Sequence, residues 1–115
     1  MSDSKKQMLF QKQAKIIQAI GHPLRLEIID FLKNGELCVC DIAERVGSER
    51  SNVSKHLSLM VNAGVLEHRK VGLKVIYKLK CPCILDFFAC ISGVLKEQAV
   101  ENRELLTVLR VGAKS

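Results

Sequence analysis

Residues 48–80 read SERSNVSKHLSLMVNAGVLEHRKVGLKVIYKLK, and this stretch predicts a helix followed directly by a β-hairpin. Apolar side chains recur every three or four residues in its first half, which is typical of one buried helix face. The four that mark this face are Val53, Leu57, Met60 and Val61. We expect the helix to have Ser48 or Ser51 as its N-cap, and to run to Ala63 and stop at Gly64.

The second half of the stretch predicts a hairpin with a turn at Val71-Gly72. After the turn, apolar and basic residues alternate, and this period of two is typical of a strand with one face on a core. The apolar set is Leu73, Val75, Tyr77 and Leu79, and the basic set is Lys74, Lys78 and Lys80. We therefore expect a hairpin whose outer face is basic.

Further helices are expected on both sides of this stretch. One spans residues 4–20, and the next opens at Pro23, whose missing N–H is not needed in a first helical turn. A short third segment is closed by Gly47. Beyond the hairpin, Pro82 opens a last helix that reaches about Leu109. This order predicts a mainly α fold with a β-hairpin wing, a winged helix-turn-helix, as a single domain over residues 1–115.

The apolar character of the last helix predicts that it packs against another protein chain. Its first half, ILDFFACISGVL, is apolar nearly all round, which implies burial on more than one side. In a chain of 115 residues the cover we expect is a second copy, so that the protein dimerises through its terminal helices.

Composition narrows the class of protein. Aromatic residues make up only 4% of the chain, which favours packed helices, and an odd number of cysteines, five, excludes a complete disulfide framework. The first fifteen residues lack the apolar core of a signal peptide, and the longest apolar run contains Asp86 and cannot span a bilayer. We expect a cytoplasmic protein with reduced thiols and no membrane partner.

The net charge of +6 is concentrated in the middle of the chain. Residues 1–44 and 81–115 are each neutral, whereas residues 45–80 contain eight Lys/Arg and two acids. A basic segment of this kind suits a polyanion such as DNA, although a solvated basic face has the same charge pattern.

Four short segments together resemble a known family. They are HPLR at 22–25, ELCVCDIA at 36–43, SNVSKHL at 51–57, and GVL at 64–66 with Arg69-Lys70 and Gly72 beyond it. The chain is similar to the ArsR/SmtB family of dimeric repressors over about residues 10–95. The resemblance implies a homodimer that binds an inverted-repeat operator in double-stranded DNA, needs no cofactor to do so, and leaves when an inducer binds.

The resemblance also implies which residues contact DNA. In the longer helix they are Arg50, Ser51, Asn52, Ser54, Lys55 and His56, and in the wing Arg69, Lys70 and Lys74. Asn and Lys side chains can pair with base edges or phosphates, and serine hydroxyls with either. The alternatives are that His56 is a half-buried packing residue and that the serines are ordinary surface residues.

The five cysteines are the candidate sensor. Cys38-x-Cys40, Cys81-x-Cys83 and Cys90 offer soft thiolates, which select thiophilic ions; three sulfurs would hold As(III) or Sb(III), and another thiophilic metal ion is the alternative. The segment ELCVCDI resembles the metal-binding box of arsenic-responsive members, which usually have a third cysteine where Ala43 stands. The third thiolate would then come from Cys81, Cys83 or Cys90, although Cys90 is equally suited to a core position.

Helix geometry limits how Cys38 and Cys40 can act together. On a regular helix, residues i and i+2 point about 200° apart, so these thiols can share an ion only in a loop or an unwound first turn. A thiol redox or persulfide sensor of the same fold is the alternative function. A thiol oxidoreductase is a remote one, because the chain has no C-x-x-C motif.

Overall fold

The computed structural model describes residues 2–99 and 107–109, which fall into two compact units that divide between Cys81 and Pro82. The first unit contains α1 (Ser2–Ile20), α2 (Pro23–Leu32), β1 (Leu37–Cys38), α3 (Val39–Val46), α4 (Arg50–Asn62), β2 (Leu66–Val71) and β3 (Lys74–Leu79). The second contains α5 (Ile84–Ala99) and a helical segment at 107–109. The mainly α winged helix-turn-helix is confirmed. Part of the last helix predicted to reach about Leu109 lies outside the described residues.

Local chemistry explains where the helices of the first unit begin and end. His22 caps α2, because its Nδ1 accepts a hydrogen bond from the Leu24 N–H at 3.1 Å. Gly47 ends α3 in the left-handed conformation (φ 67°), which glycine adopts without steric cost. The N-cap of α4 is Glu49, so the prediction of Ser48 or Ser51 was wrong. The Ser48 hydroxyl instead accepts a hydrogen bond from Asn52 Nδ2 at 3.0 Å.

The core of the first unit joins α2, α3, α4 and the sheet. Its fully buried side chains are Ile28, Ile29, Ile42, Val53, Leu57, Met60 and Leu66. Three of the four residues predicted for the buried face of α4 are in this set, and Val61 is half-buried. Each such aliphatic side chain contributes about 1.5–3 kcal/mol on leaving water, and together they fix which face of α4 is left outside.

The sheet has three antiparallel strands in the order β1-β3-β2. Strands β2 and β3 pair from Leu66 opposite Leu79 to Val71 opposite Lys74, as expected for a hairpin. The prediction that Leu73 faces the core was wrong: it is completely exposed, because it lies in the turn after Gly72. Strand β1 was not predicted, and it pairs Cys38 with Ile76 of β3.

The two terminal helices carry exposed apolar side chains. On α1 these include Met8, Leu9 and Phe10, and on α5 they include Phe87, Ile91 and Val94. Exposed apolar side chains in such number on a helix suit an interaction surface. Within the described ranges, no helix combines the length and the apolar character needed to cross a membrane.

Candidate nucleic-acid interface and thiol segment

The outer face of α4 is small, polar and basic. Ser51, Asn52, Lys55 and Ser58 are exposed, and Ser54 is half-buried. These residues lie opposite the buried side chains of the same helix, so packing of α4 against the core holds the polar face outward. The arrangement suits insertion of the helix into a DNA groove, where side chains of these types reach base edges and phosphates.

The basic residues of the wing differ in their surroundings: two lysines are exposed to solvent, whereas the arginine forms an ion pair with a glutamate. Lys70 and Lys74 are exposed. Arg69 forms a two-pronged ion pair with Glu36: Nη1 donates to Oε1 and Nη2 to Oε2, both at 2.7 Å. This hydrogen bonding lowers the pKa of Glu36 and raises the pKa of Arg69. Arg69, which we predicted to contact phosphate, is therefore already paired with Glu36 in the free protein, and no sequence pattern predicted this pairing.

His56 lies between α4 and α2 rather than fully outside. It is half-buried, its Nδ1 accepts a hydrogen bond from Arg25 Nε at 3.1 Å, and its ring centroid is 4.7 Å from that of His22. Arg25 also donates to the Gln18 carbonyl at 2.9 Å, so the cluster joins three helices. This placement favours the packing role that the sequence left open for His56.

The surroundings of His56 predict a dependence of stability on pH. Partial burial lowers the pKa of His56, and electrostatic repulsion from the neighbouring His22 and Arg25 lowers it further. The unfolded chain therefore takes up the proton first as pH falls. The stabilisation is complete above the ordinary histidine pKa of about 6.5 and is lost as pH falls through the lower pKa of the folded state.

We expect His56→Gln to reduce the loss of unfolding free energy between pH 7 and pH 5, because glutamine can accept the Arg25 hydrogen bond without titrating. Urea unfolding at a series of pH values measures this. His68→Gln, at an exposed histidine of the wing outside the Arg25 cluster, is the matched control for the removal of a histidine. An unchanged slope in His56→Gln would contradict the prediction.

The cysteines differ in their accessibility. Cys38 is buried, with 3% of its surface exposed, and it lies in extended backbone immediately before α3. Cys40 is half-buried in α3, and Cys81, Cys83 and Cys90 are exposed. All five are free thiols. Cys90 is therefore exposed on α5 and does not occupy the core position that the sequence left open.

Cys38 and Cys40 are not both inside a regular helix, which is one condition for the two thiols to bind the same ion. Cys38 precedes the helix and Cys40 is its second residue, so the separation that a continuous helix would impose does not apply. Within the part of the chain that the structure describes, no three His, Cys, Asp or Glu side chains are grouped to hold a metal ion. A three-sulfur site thus needs a further donor brought to Cys38 and Cys40.

Comparison with known proteins identifies similar chains. Residues 22–68 match the family described as bacterial regulatory protein, arsR family. The arsenical resistance operon repressor of Staphylococcus xylosus is 35% identical over 72 residues, 63% of this chain and 69% of that one. A cadmium resistance transcriptional regulatory protein CadC homolog of Staphylococcus aureus is 40% identical over 67 residues, 57% and 55% of the two chains.

A solved structure resembles the fold as well. It is the homodimeric winged helix-turn-helix DNA-binding domain from Mycobacterium bovis, a possible ArsR-family transcriptional regulator. The two chains are 26% identical with a TM-score of 0.73, and the match covers 85% of this chain and 91% of that one.

Proposed function

The chain belongs to the arsR family of bacterial regulatory proteins, and we propose that it is a homodimeric repressor that leaves its operator when its thiolates bind arsenite or a similar thiophilic metalloid. Family membership makes the protein a DNA-binding transcriptional regulator rather than an enzyme. The proposal adds the inducer, the dimer and the inverted-repeat operator.

One observation carries the proposed inducer site. The thiol segment, residues 38–40, begins in strand β1, which pairs with strand β3 of the wing. Cys38 pairs with Ile76 of β3, and its side chain is buried. We infer that an ion reaches this buried sulfur when the short strand β1 separates from β3 or the start of α3 unwinds. An inducer that binds the separated form better shifts the population toward it, and the wing then loses the support of β1.

The donor set fits a soft, three-coordinate ion in part. Cys38 and Cys40 supply two sulfurs, and Ala43 stands where the arsenic-responsive pattern has its third cysteine. We assign the third sulfur to one of the exposed cysteines Cys81, Cys83 or Cys90, from the same chain or from the second copy. Thiolate sulfurs favour As(III) over the harder ions that prefer oxygen donors.

The proposed dimer is supported by the exposed apolar residues that α1 and α5 each carry, because such faces suit burial against a second copy. The Mycobacterium bovis relative is itself homodimeric. Two copies related by a twofold axis would place two α4 helices in successive major grooves, which fits an inverted-repeat operator.

Fluorescence anisotropy of the reduced protein on its own promoter fragment tests the proposal. Under anaerobic conditions, stoichiometric arsenite should weaken DNA binding by about 5- to 150-fold, the usual range of allosteric coupling. Cys38→Ser and Cys40→Ser should each abolish this response, and single serine variants of the three exposed cysteines should identify the third donor. A wild-type affinity that arsenite leaves unchanged would contradict the metalloid inducer.

A thiol redox or persulfide sensor is the second candidate, and the observation that favours it is the exposure of three free thiols. The same titration with a polysulfide donor distinguishes the two. Release by the sulfur donor alone, reversed by a thiol reductant, would move the inducer from a metalloid to reactive sulfur and leave the DNA-binding role intact.

A further inference from the structure

A contact between α3 and α4 joins a cysteine to a DNA-facing arginine. The guanidinium of Arg50 lies against the Cys40 sulfur, with Nη2 as the contacting atom. Arg50 is the first residue of α4, and Cys40 is the second residue of α3, ten positions earlier in the chain. The contact therefore crosses the turn between the two helices of the DNA-binding motif.

Arg50 is one of the residues that we predict to contact DNA. It is exposed at the N-terminus of α4, and the free N–H groups and the dipole at a helix start attract anions. A guanidinium has several donors in a planar fork, so one of them can bond to sulfur while others face a phosphate. In the structure, one of these donors is directed at the Cys40 sulfur.

We propose that Arg50 is a positioning residue that couples the state of the Cys40 thiol to DNA binding. When the sulfur is free, it holds the guanidinium in the orientation that meets the phosphate. When a ligand or an adduct occupies the sulfur, the acceptor is lost, the added atoms fill the space between the two side chains, and Arg50 turns away. The inference rests on the proposed function and names the route by which its thiol segment acts on α4.

The second DNA-facing arginine has a different partner. Arg69 is held by the carboxylate of Glu36 and by no thiol, so a reaction at Cys40 leaves its acceptor in place. Arg69 therefore provides a matched control, because its removal deletes the same charge from the same surface without touching the sulfur.

The test uses a reagent that needs no metalloid. Cys81, Cys83 and Cys90 are exposed and are replaced together by serine, which leaves Cys40 as the accessible thiol because Cys38 is buried. Iodoacetamide then alkylates Cys40: the thiol gives its proton to the buffer, the sulfur forms a bond to the methylene carbon, and iodide departs. Mass spectrometry verifies a single adduct on Cys40, and anisotropy gives the dissociation constant for DNA before and after the reaction.

Alkylation should weaken DNA binding by about 5- to 20-fold when Arg50 is present, within the range of measured allosteric coupling. In Arg50→Gln the starting affinity should be lower, and alkylation should change it by less than about twofold, because the contact that it breaks is already absent. Low salt keeps the weaker complex measurable. Arg50→Lys, which keeps the charge without the fork, should also lose most of the alkylation response.

Two controls separate this route from others. Arg69→Gln should lower the starting affinity but keep the full alkylation response. Cys40→Ser in the same background should show no response to iodoacetamide. If alkylation weakens DNA binding by the same factor in the Arg50 protein and in Arg50→Gln, the proposed coupling is wrong.

The arsenite titration of the wild-type chain and Arg50→Gln separates the two proposals. Release of both proteins by the same factor would overturn the role of Arg50 and retain the metalloid sensor. No release of the wild type, together with an alkylation effect that requires Arg50, would overturn the metalloid inducer and retain the coupling.

Discussion

Replacing Asn52 and Lys55 together by alanine is expected to weaken binding to the operator by about 100-fold or more. Both side chains are exposed on α4. A well-formed base contact accounts for about 1–3 kcal/mol, and a dimer on an inverted repeat makes each contact twice. The Asn52 amide is held by Ser48 in the free protein, so its orientation is partly set before DNA arrives. Anisotropy titrations on the operator and on an unrelated duplex measure the loss.

The salt dependence of DNA binding distinguishes a phosphate contact by Lys55 from a base contact by Asn52. A lysine that neutralises a phosphate contributes about one unit to the slope of log affinity against log salt, whereas a base contact made by asparagine contributes none. Lys12→Ala with Asn34→Ala removes the same residue types from exposed positions outside α4 and the wing, and it should retain operator binding. Retained affinity in the Asn52 and Lys55 variant would show that another surface binds DNA.

Leu57→Ala is expected to lower the free energy of unfolding by about 2–5 kcal/mol. The Leu57 side chain is completely buried on the inner face of α4, so its removal leaves a cavity among close-packed neighbours. A domain of this size has about 5–15 kcal/mol of stability in total, so the variant should lose a large fraction of it. Urea unfolding followed by circular dichroism, at one protomer concentration, measures the change.

Leu73→Ala is the matched control for this prediction. It is the same substitution at a leucine that is completely exposed in the wing turn, so we expect a change within about 0.5 kcal/mol. A loss of stability in Leu73→Ala comparable with that in Leu57→Ala would mean that the exposed leucine is covered in solution, for instance by the second copy.

Patterns of short period were enough to predict most of the fold. The spacing of Val53, Leu57 and Met60 identified the inner face of α4, because residues three or four apart share one side of a helix. The alternation of apolar and basic residues predicted the hairpin, because successive side chains of a strand point to opposite faces of the sheet. The pattern failed at Leu73, where a turn interrupts the alternation, and at the N-cap of α4, where chain geometry selected Glu49 over two serines.

The candidate site depended more on contacts between distant residues. The exposure of Asn52 and Lys55 followed from the helix pattern, but the partner of each charged or titratable group did not. Arg25 meets His56 across 31 positions, and Glu36 meets Arg69 across 33. Strand β1 has only two residues, too few for a period, and it forms because β3 offers it hydrogen-bonding partners.

The amino-acid sequence alone thus determined the order of the elements, the inner face of α4 and the location of the basic segment, because these depend on neighbours within a few residues. Tertiary structure decided that His56 packs against Arg25 and that Glu36 pairs with Arg69. It also decided that Cys38 is buried in a strand beside β3 and that Cys40 contacts Arg50. These pairings depend on how separate elements are placed by packing of the shared core, and no local pattern encodes the side chains that such packing brings together.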